Sequence, residues 1–182
     1  WRQVPIDNSV IGEKANSTRP EIEQVMFVNN FEREKNFDFA KELYLIRRRL
    51  EKRIQKQQIN GFYVCSLSFD SIIYKGLFLA EQLSIFYPDV ANKNFISSYA
   101  LFHQRYSTNT FPSWGLAQPF RMLAHNGEIN TISGNTNWMR NHQTRIASEI
   151  FGKDSEQVKP IIENNVSDSA ALDAAFELYV RA

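Results

Sequence analysis

The sequence predicts a mixed fold of helices and strands, α+β or α/β. Three observations carry that expectation. An apolar period near 3.6 runs over residues 38–58, a two-residue alternation runs over residues 62–69, and Ser167-Asp168-Ser169 stands as a helix-start signature before a second apolar period. In the first, Phe39, Leu43, Ile46, Leu50 and Ile54 recur at steps that place them on one face of a helix. The other faces carry Arg47, Arg48, Arg49, Lys52, Arg53 and Lys56, relieved by Glu42 and Glu51, and are expected to be solvated. Asn60-Gly61 punctuates the chain, after which Tyr63, Cys65, Leu67 and Phe69 share one side of an expected strand. Asp70-Ser71 links that strand to Ile72-Ile73-Tyr74 as an expected hairpin, and a short helix after Lys75-Gly76 should end near Pro88. Residues 98–106 and 121–124 read as further strands, joined by a loop through Pro112, Trp114 and Pro119. Residues 136–150 read as helical, and the last helix should turn Leu172, Phe176 and Tyr179 inward. Residues 1–20 hold two prolines and no sustained period, which suits an extended, partly docked lead-in.

Composition narrows the function classes. A chain of 182 residues, 43% hydrophobic and with 14 Phe, suits one domain with a packed core. The 21 basic and 20 acidic residues leave a formal net charge of +1, so no global field points to nucleic acid or an anionic membrane, and the expected ligand is small. One cysteine excludes an intramolecular disulfide and suits a reducing compartment. No apolar run approaches the ~20 residues that cross a bilayer. Asn16-Ser17-Thr18 and Asn165-Val166-Ser167 fit the glycosylation pattern, which chance also produces, and both are discounted.

Chemistry concentrates between Phe95 and Met139. Arg105 follows the apolar run Tyr99-Ala100-Leu101-Phe102 and offers a planar fork of donors suited to a carboxylate, although a structural arginine is the plainer reading of that residue alone. Asn126-Gly127 is a strong hairpin-turn signal because both residues tolerate positive φ. The same dipeptide sets a side-chain amide beside an unobstructed backbone N–H, a pair able to hold a developing oxyanion. Asp168 reads on its own as a helix cap or first-turn acid. His103, His125 and His142 match no zinc spacing, and no metal site is expected. Cys65, on the apolar side of its expected strand, reads as an inert buried thiol.

His103-Gln104-Arg105-Tyr106-Ser107-Thr108-Asn109 and His125-Asn126-Gly127-Glu128-Ile129-Asn130, paired in this order, closely resemble the class II glutamine amidotransferase (glutaminase) domain of glutamate synthases. The continuation Asn109-Thr110-Phe111-Pro112-Ser113-Trp114 resembles those enzymes more than other class II amidotransferases, and residues 1–11, 62–76 and 167–172 also look like family segments in family order. The resemblance implies that residues 1–182 are part of a single domain of the α+β class, an N-terminal-nucleophile hydrolase with a four-layer αββα sandwich. It implies hydrolysis of L-glutamine to glutamate and ammonia through a thioester. Carried over residue by residue, Arg105 grips the α-carboxylate with Thr108 shaping the pocket, Asp168 pairs with the α-ammonium, and Asn126 and Gly127 form the oxyanion hole. The ammonia would serve reductive amination of 2-oxoglutarate in a synthase region of the same polypeptide. That region would use FMN and an iron–sulfur cluster and take electrons from ferredoxin or NAD(P)H, in the cytoplasm or the plastid stroma. No cofactor is expected in these residues.

The family's nucleophile is a cysteine at the mature N-terminus, whose own α-amino group acts as its base. This sequence begins with Trp1, and Cys65 is internal, so the 182 residues alone are expected to be inactive. Two other classes compete: an amino-acid-binding pseudoenzyme that uses Arg105 and Asp168 without chemistry, and an interaction module built on the basic helix.

Overall fold

The computed structural model describes residues 1–28, 36–105, 111–164 and 166–181, without the side chains of residues 36–38, 147 and 148. It divides into two compact units. One comprises Trp1–Asn29, Tyr74–Pro119 and Ala124–Asn126, and the other comprises Asn30–Ile73, Phe120–Leu123 and Gly127–Ala182.

In the first unit, β1 (Arg2–Gln3) pairs antiparallel with β2 (Glu23–Gln24), Arg2 opposite Gln24. Between them, α1 (Glu13–Ser17) gives the lead-in a helical turn that its composition did not announce. The unit's interior is aromatic. Phe86, at the end of α3 (Leu83–Phe86), packs edge-on to Tyr87 at 4.7 Å and lies 5.7 Å from Trp114. Trp114 Nε1 donates to Ala15 O at 3.1 Å, so the ring is fixed at its polar end as well as its apolar one. Gly76 sits against this cluster. A side chain there would bring its Cβ within 2.5 Å of both the Phe78 and Trp114 rings. Lys75, also buried, donates from Nζ to Gly115 O at 2.8 Å, and its own carbonyl accepts from the Tyr87 hydroxyl. The loop after residue 110 is thereby held at Trp114 and Gly115.

The second unit is helical. Helix α2 (Asn36–Lys56) ends with Ile59 N donating to Ile54 O and Gln58 N to Gln55 O, while Gln58 takes φ +56°; this is the Schellman arrangement, followed by Gly61 at φ +79°. Helices α4 (Ile132–Phe151), α5 (Ser155–Val158) and α6 (Asp168–Arg181) complete the unit. Its core joins Tyr44 and Leu45 of α2 to Phe151, Val158, Ile161, Ile162, Ala171 and Leu178. The helices expected from periodicity are present, and so is the short helix before Pro88.

Which faces they bury differs from the hydropathy reading. Arg47 and Arg48 of α2, expected in solvent, are buried, whereas Ile46 and Leu50 are exposed. On α6 the expected inward residues Leu172, Phe176 and Tyr179 are 43%, 47% and 60% exposed, and Ser169, Ala171, Asp173, Glu177 and Leu178 are buried instead. The cause is ionic. Arg47 Nη2 meets Glu177 at 2.5 Å while its Nη1 lies 2.7 Å from both oxygens of Glu51. Arg48 bridges Glu51 at 2.9 Å and Glu163 at 3.0 Å, and Arg121 reaches Glu51 at 3.1 Å. Turning either helix to bury its apolar stripe would break these ion pairs and leave the partners that stay buried without a counter-charge. Arg47, Arg48 and Arg49 of the basic face are thus paired with this unit's own carboxylates, while Arg53 and Lys56 are exposed.

The expected strands at residues 62–69, 72–74 and 121–124 are not formed, nor is any strand over the described part of residues 98–106; Tyr106 lies outside the described residues. Residues 63–68 are uniformly half-buried and do not alternate, and Phe69 is exposed. Alternation specifies a strand only when a neighbour takes up its N–H and C=O groups. Here side chains do so: Arg121 Nη2 donates to Val64 O at 2.6 Å, and the Cys65 thiol donates to Ile73 O at 3.5 Å. Cys65 is accordingly half-buried, not the fully buried thiol expected.

Candidate functional site

Arg105, Asn126, Gly127 and Asp168 fall within the described residues, and Thr108 lies outside them. Arg105 is exposed and belongs to the first unit, as does Asn126; Gly127 and Asp168 belong to the second.

Asn126 and Gly127 are both exposed, in a bend with no flanking strands. Among the described residues positive φ is found at Gln58, Gly61, Thr131 and Gly152, and with no strand on either side of Asn126-Gly127 the hairpin expected from the sequence is not formed. A different construction presents the dipeptide. In the first unit the Gln118 side chain brackets His125, its Oε1 accepting from His125 N at 2.6 Å and its Nε2 donating to His125 O at 2.6 Å. One amide side chain thus satisfies both backbone groups of the residue before Asn126, as a neighbouring strand would.

In the second unit, α6 holds the chain before and after the dipeptide. The Asp173 carboxylate is 2% exposed and accepts three successive backbone N–H groups: Arg121 at 3.3 Å, Met122 at 2.7 Å and Leu123 at 3.2 Å. At the start of the helix, Asp168 Oδ2 accepts Ile129 N at 2.7 Å while its Oδ1 accepts Ser169 N at 2.6 Å. Ser167 Oγ accepts Ala170 N at 3.2 Å, so the cap is supplied by Ser167 and Asp168 is a first-turn acid with one oxygen turned to the 125–130 motif. The sequence motif and Asp168, 39 residues apart, are brought together by that hydrogen bond.

Electrostatics separate two of the carboxylates beside Arg121, Glu51 and Asp173. Burial alone would raise the Glu51 carboxyl, but Arg47, Arg121 and Arg48 outweigh it and hold the group below its ordinary range. Burial raises Asp173, and the N–H donors of Met122 and Arg121 only partly offset it. His142 stacks on Trp138 at 4.0 Å along α4. Among the described residues no group of three His, Cys, Asp or Glu side chains is placed to hold a metal ion, and no helix is long and apolar enough to cross a membrane.

Sequence reasoning missed Gln118 and Asp173. Asp173 carried a signal: it is a lone acid inside Ala170-Ala171-Leu172-Asp173-Ala174-Ala175-Phe176, where a buried carboxylate must find donors. Gln118 carried none, because its partner is set by the path of the loop.

Against known proteins, residues 1–182 match the family of class-II glutamine amidotransferases. The chain is 59% identical over its whole length to the glutamate synthase [NADPH] large chain of Azospirillum brasilense, covering 12% of that protein. It is 47% identical to the glutamate synthase [NADH] of Saccharomyces cerevisiae, with 98% of the chain and 8% of that protein aligned. It is 44% identical over its whole length to the chloroplastic ferredoxin-dependent glutamate synthase of Spinacia oleracea, covering 11% of it. The chain thus spans about an eighth of such relatives or less.

Proposed function

From the premise that the chain belongs to the class-II glutamine amidotransferases, we propose that it carries the glutamine-binding and oxyanion-stabilising part of a glutaminase site within a glutamate synthase. The observation that carries the reading is the presentation of Asn126 and Gly127. Both are exposed, while the backbone on either side is bound to Gln118, Asp173 and Asp168. A donor pair fixed before the reaction costs no reorganisation when charge develops on the amide oxygen.

Arg105 takes the α-carboxylate, with Thr108 shaping that pocket, and Asp168, whose carboxylate also accepts from Ile129 N and Ser169 N, takes the α-ammonium. Asn126 Nδ2 and the Gly127 N–H receive the oxyanion. No nucleophilic step is assigned to Cys65, whose thiol donates to Ile73 O and whose own amine is an amide. The four-layer αββα sandwich is proposed for the intact domain on family membership.

Ammonia released here feeds reductive amination of 2-oxoglutarate in a synthase region, with ferredoxin or NAD(P)H as electron donor; the relatives' names span NADPH, NADH and ferredoxin forms. FMN and the iron–sulfur cluster belong to that region, since such a cluster takes several thiolates and this sequence has one cysteine. The competing pseudoenzyme reading shares the substrate grip but predicts no turnover.

The test is Asn126→Ala in the glutamate synthase polypeptide that contains these residues. Glutamine turnover should fall by roughly 10²-fold or more while glutamine KM stays within about threefold, because the bond is made in the transition state. Unchanged turnover with a lowered melting temperature would mean that Asn126 is a turn residue only.

A further inference from the structure

We propose that Asp173 is a positioning residue for the glutaminase reaction: its buried carboxylate fixes residues 121–123 and so sets where Asn126 and Gly127 present their donors. The proposal rests on the glutaminase reading and goes beyond it, since Asp173 touches no substrate.

Its geometry is unusual for a helical acid. Asp173 lies mid-helix, where its side chain does nothing for the α6 backbone, and both of its oxygens are spent on a different segment. Three consecutive amides converging on one carboxylate fix the direction of three peptide planes at once. The last of these, at Leu123, is three residues before Asn126. The side chain of the same segment is anchored independently, since Arg121 Nη2 donates to Val64 O and to Glu51. Burying a carboxylate is expensive, and its three donors are backbone groups that solvent or a neighbouring strand would satisfy as well. Stability alone therefore gives a weak reason for an acid at this position. Positioning gives a stronger one: misplacement of a reacting group's partner by about 1 Å can cost ~10²-fold in rate.

The experiment compares Asp173→Asn, Asn126→Ala and the double variant in the intact enzyme, by steady-state glutamine hydrolysis, with folding followed by circular dichroism. The amide of the Asn variant keeps the shape but replaces one of the two acceptor oxygens with a donor, which must then face at least one of the three N–H groups. Turnover should fall about tenfold or more with glutamine KM within about threefold, and in the Asn126→Ala background the same change should slow turnover by clearly less than it does alone, because only the Gly127 donor is then left to misplace. Wild-type turnover in Asp173→Asn overturns the proposal. So does a double variant slowed by the product of the two single effects, which is what a merely structural residue gives. Should the Asn variant fail to fold, Asp173→Ser, which keeps one acceptor oxygen, carries the same expectations; failure of both to fold assigns the carboxylate to stability alone and also overturns the proposal. The outcomes separate from the parent reading. Full turnover in Asn126→Ala sinks the oxyanion assignment, whereas a slow Asn126→Ala beside a fast Asp173→Asn sinks only the positioning role.

Discussion

Arg47 and Glu177 make the same contact but should not be equally costly to remove. Arg47 Nη2 lies 2.5 Å from Glu177, and the Arg47 side chain is 4% exposed against 8% for Glu177. Their other partners differ. Arg47 keeps both oxygens of Glu51 at 2.7 Å, while the nearest other cation to Glu177 is Arg121 Nη1 at 4.0 Å. Arg47→Met therefore strands a buried carboxylate. Glu51 does not suffer with it, since Arg48 at 2.9 Å and Arg121 at 3.1 Å remain. Breaking a buried pair in this way costs about 3–5 kcal/mol. Glu177→Gln leaves Arg47 charged and still paired, with an amide oxygen available to Nη2, so its cost should be nearer 1–2 kcal/mol, the range of a single hydrogen bond. The double variant Arg47→Met/Glu177→Gln removes the stranded charge as well as its partner and should be more stable than Arg47→Met alone. Urea unfolding near neutral pH measures all four proteins, with equal m-values required for comparison. Equal costs for the two single variants, or a double variant no better than Arg47→Met, would refute the argument that Glu177 depends on Arg47 more than Arg47 depends on Glu177.

Two further outcomes follow from the packing and the charges. Gly76→Ala should cost about 1–3 kcal/mol in thermal or urea unfolding, because its Cβ would meet Phe78 and Trp114 at 2.5 Å and the indole is tethered to Ala15 O; a cost below about 0.5 kcal/mol would show that the rings move aside freely. Glu51 is held below its unfolded value, so its contribution is fully present above about pH 4.3 and lost as pH falls through the lower folded value. The stability gap between the wild type and Glu51→Gln should narrow on acidification below that point, and a gap that widens would reverse the sign of the Arg47, Arg121 and Arg48 influence.

What was legible in the sequence was local. The periods over residues 38–58 and 136–150 and the Ser167-Asp168-Ser169 start placed three helices, because helix formation depends on neighbours a few residues away. The faces they bury were not legible. Arg47 is inside because Glu177 stands 130 residues later, and Arg48 because Glu163 stands 115 residues later. Residues 62–69 alternate in sequence without a ladder partner among the described residues, and alternation cannot say whether one exists. For the site, the two motif blocks and Asp168 stood out by residue type, and the bond from Ile129 N to Asp168 joins one block to that aspartate. The supports that no motif marked, Gln118 and Asp173, act through backbone atoms, and backbone atoms leave no trace in side-chain patterns.

Helix α6 also works as a ruler. Asp168 and Asp173 are five residues apart, about 7.5 Å along a helix axis, and each grips one flank of a nine-residue stretch from Arg121 to Ile129. Deleting one residue between the aspartates would shift the second grip by about 1.5 Å and swing it about 100° around the axis, taking it off its three amides. Between the two grips, Asn126, Gly127 and Glu128 are exposed. Length changes should therefore be far less tolerated inside the first turns of α6 than chain length alone would suggest, even where every deleted residue is an alanine.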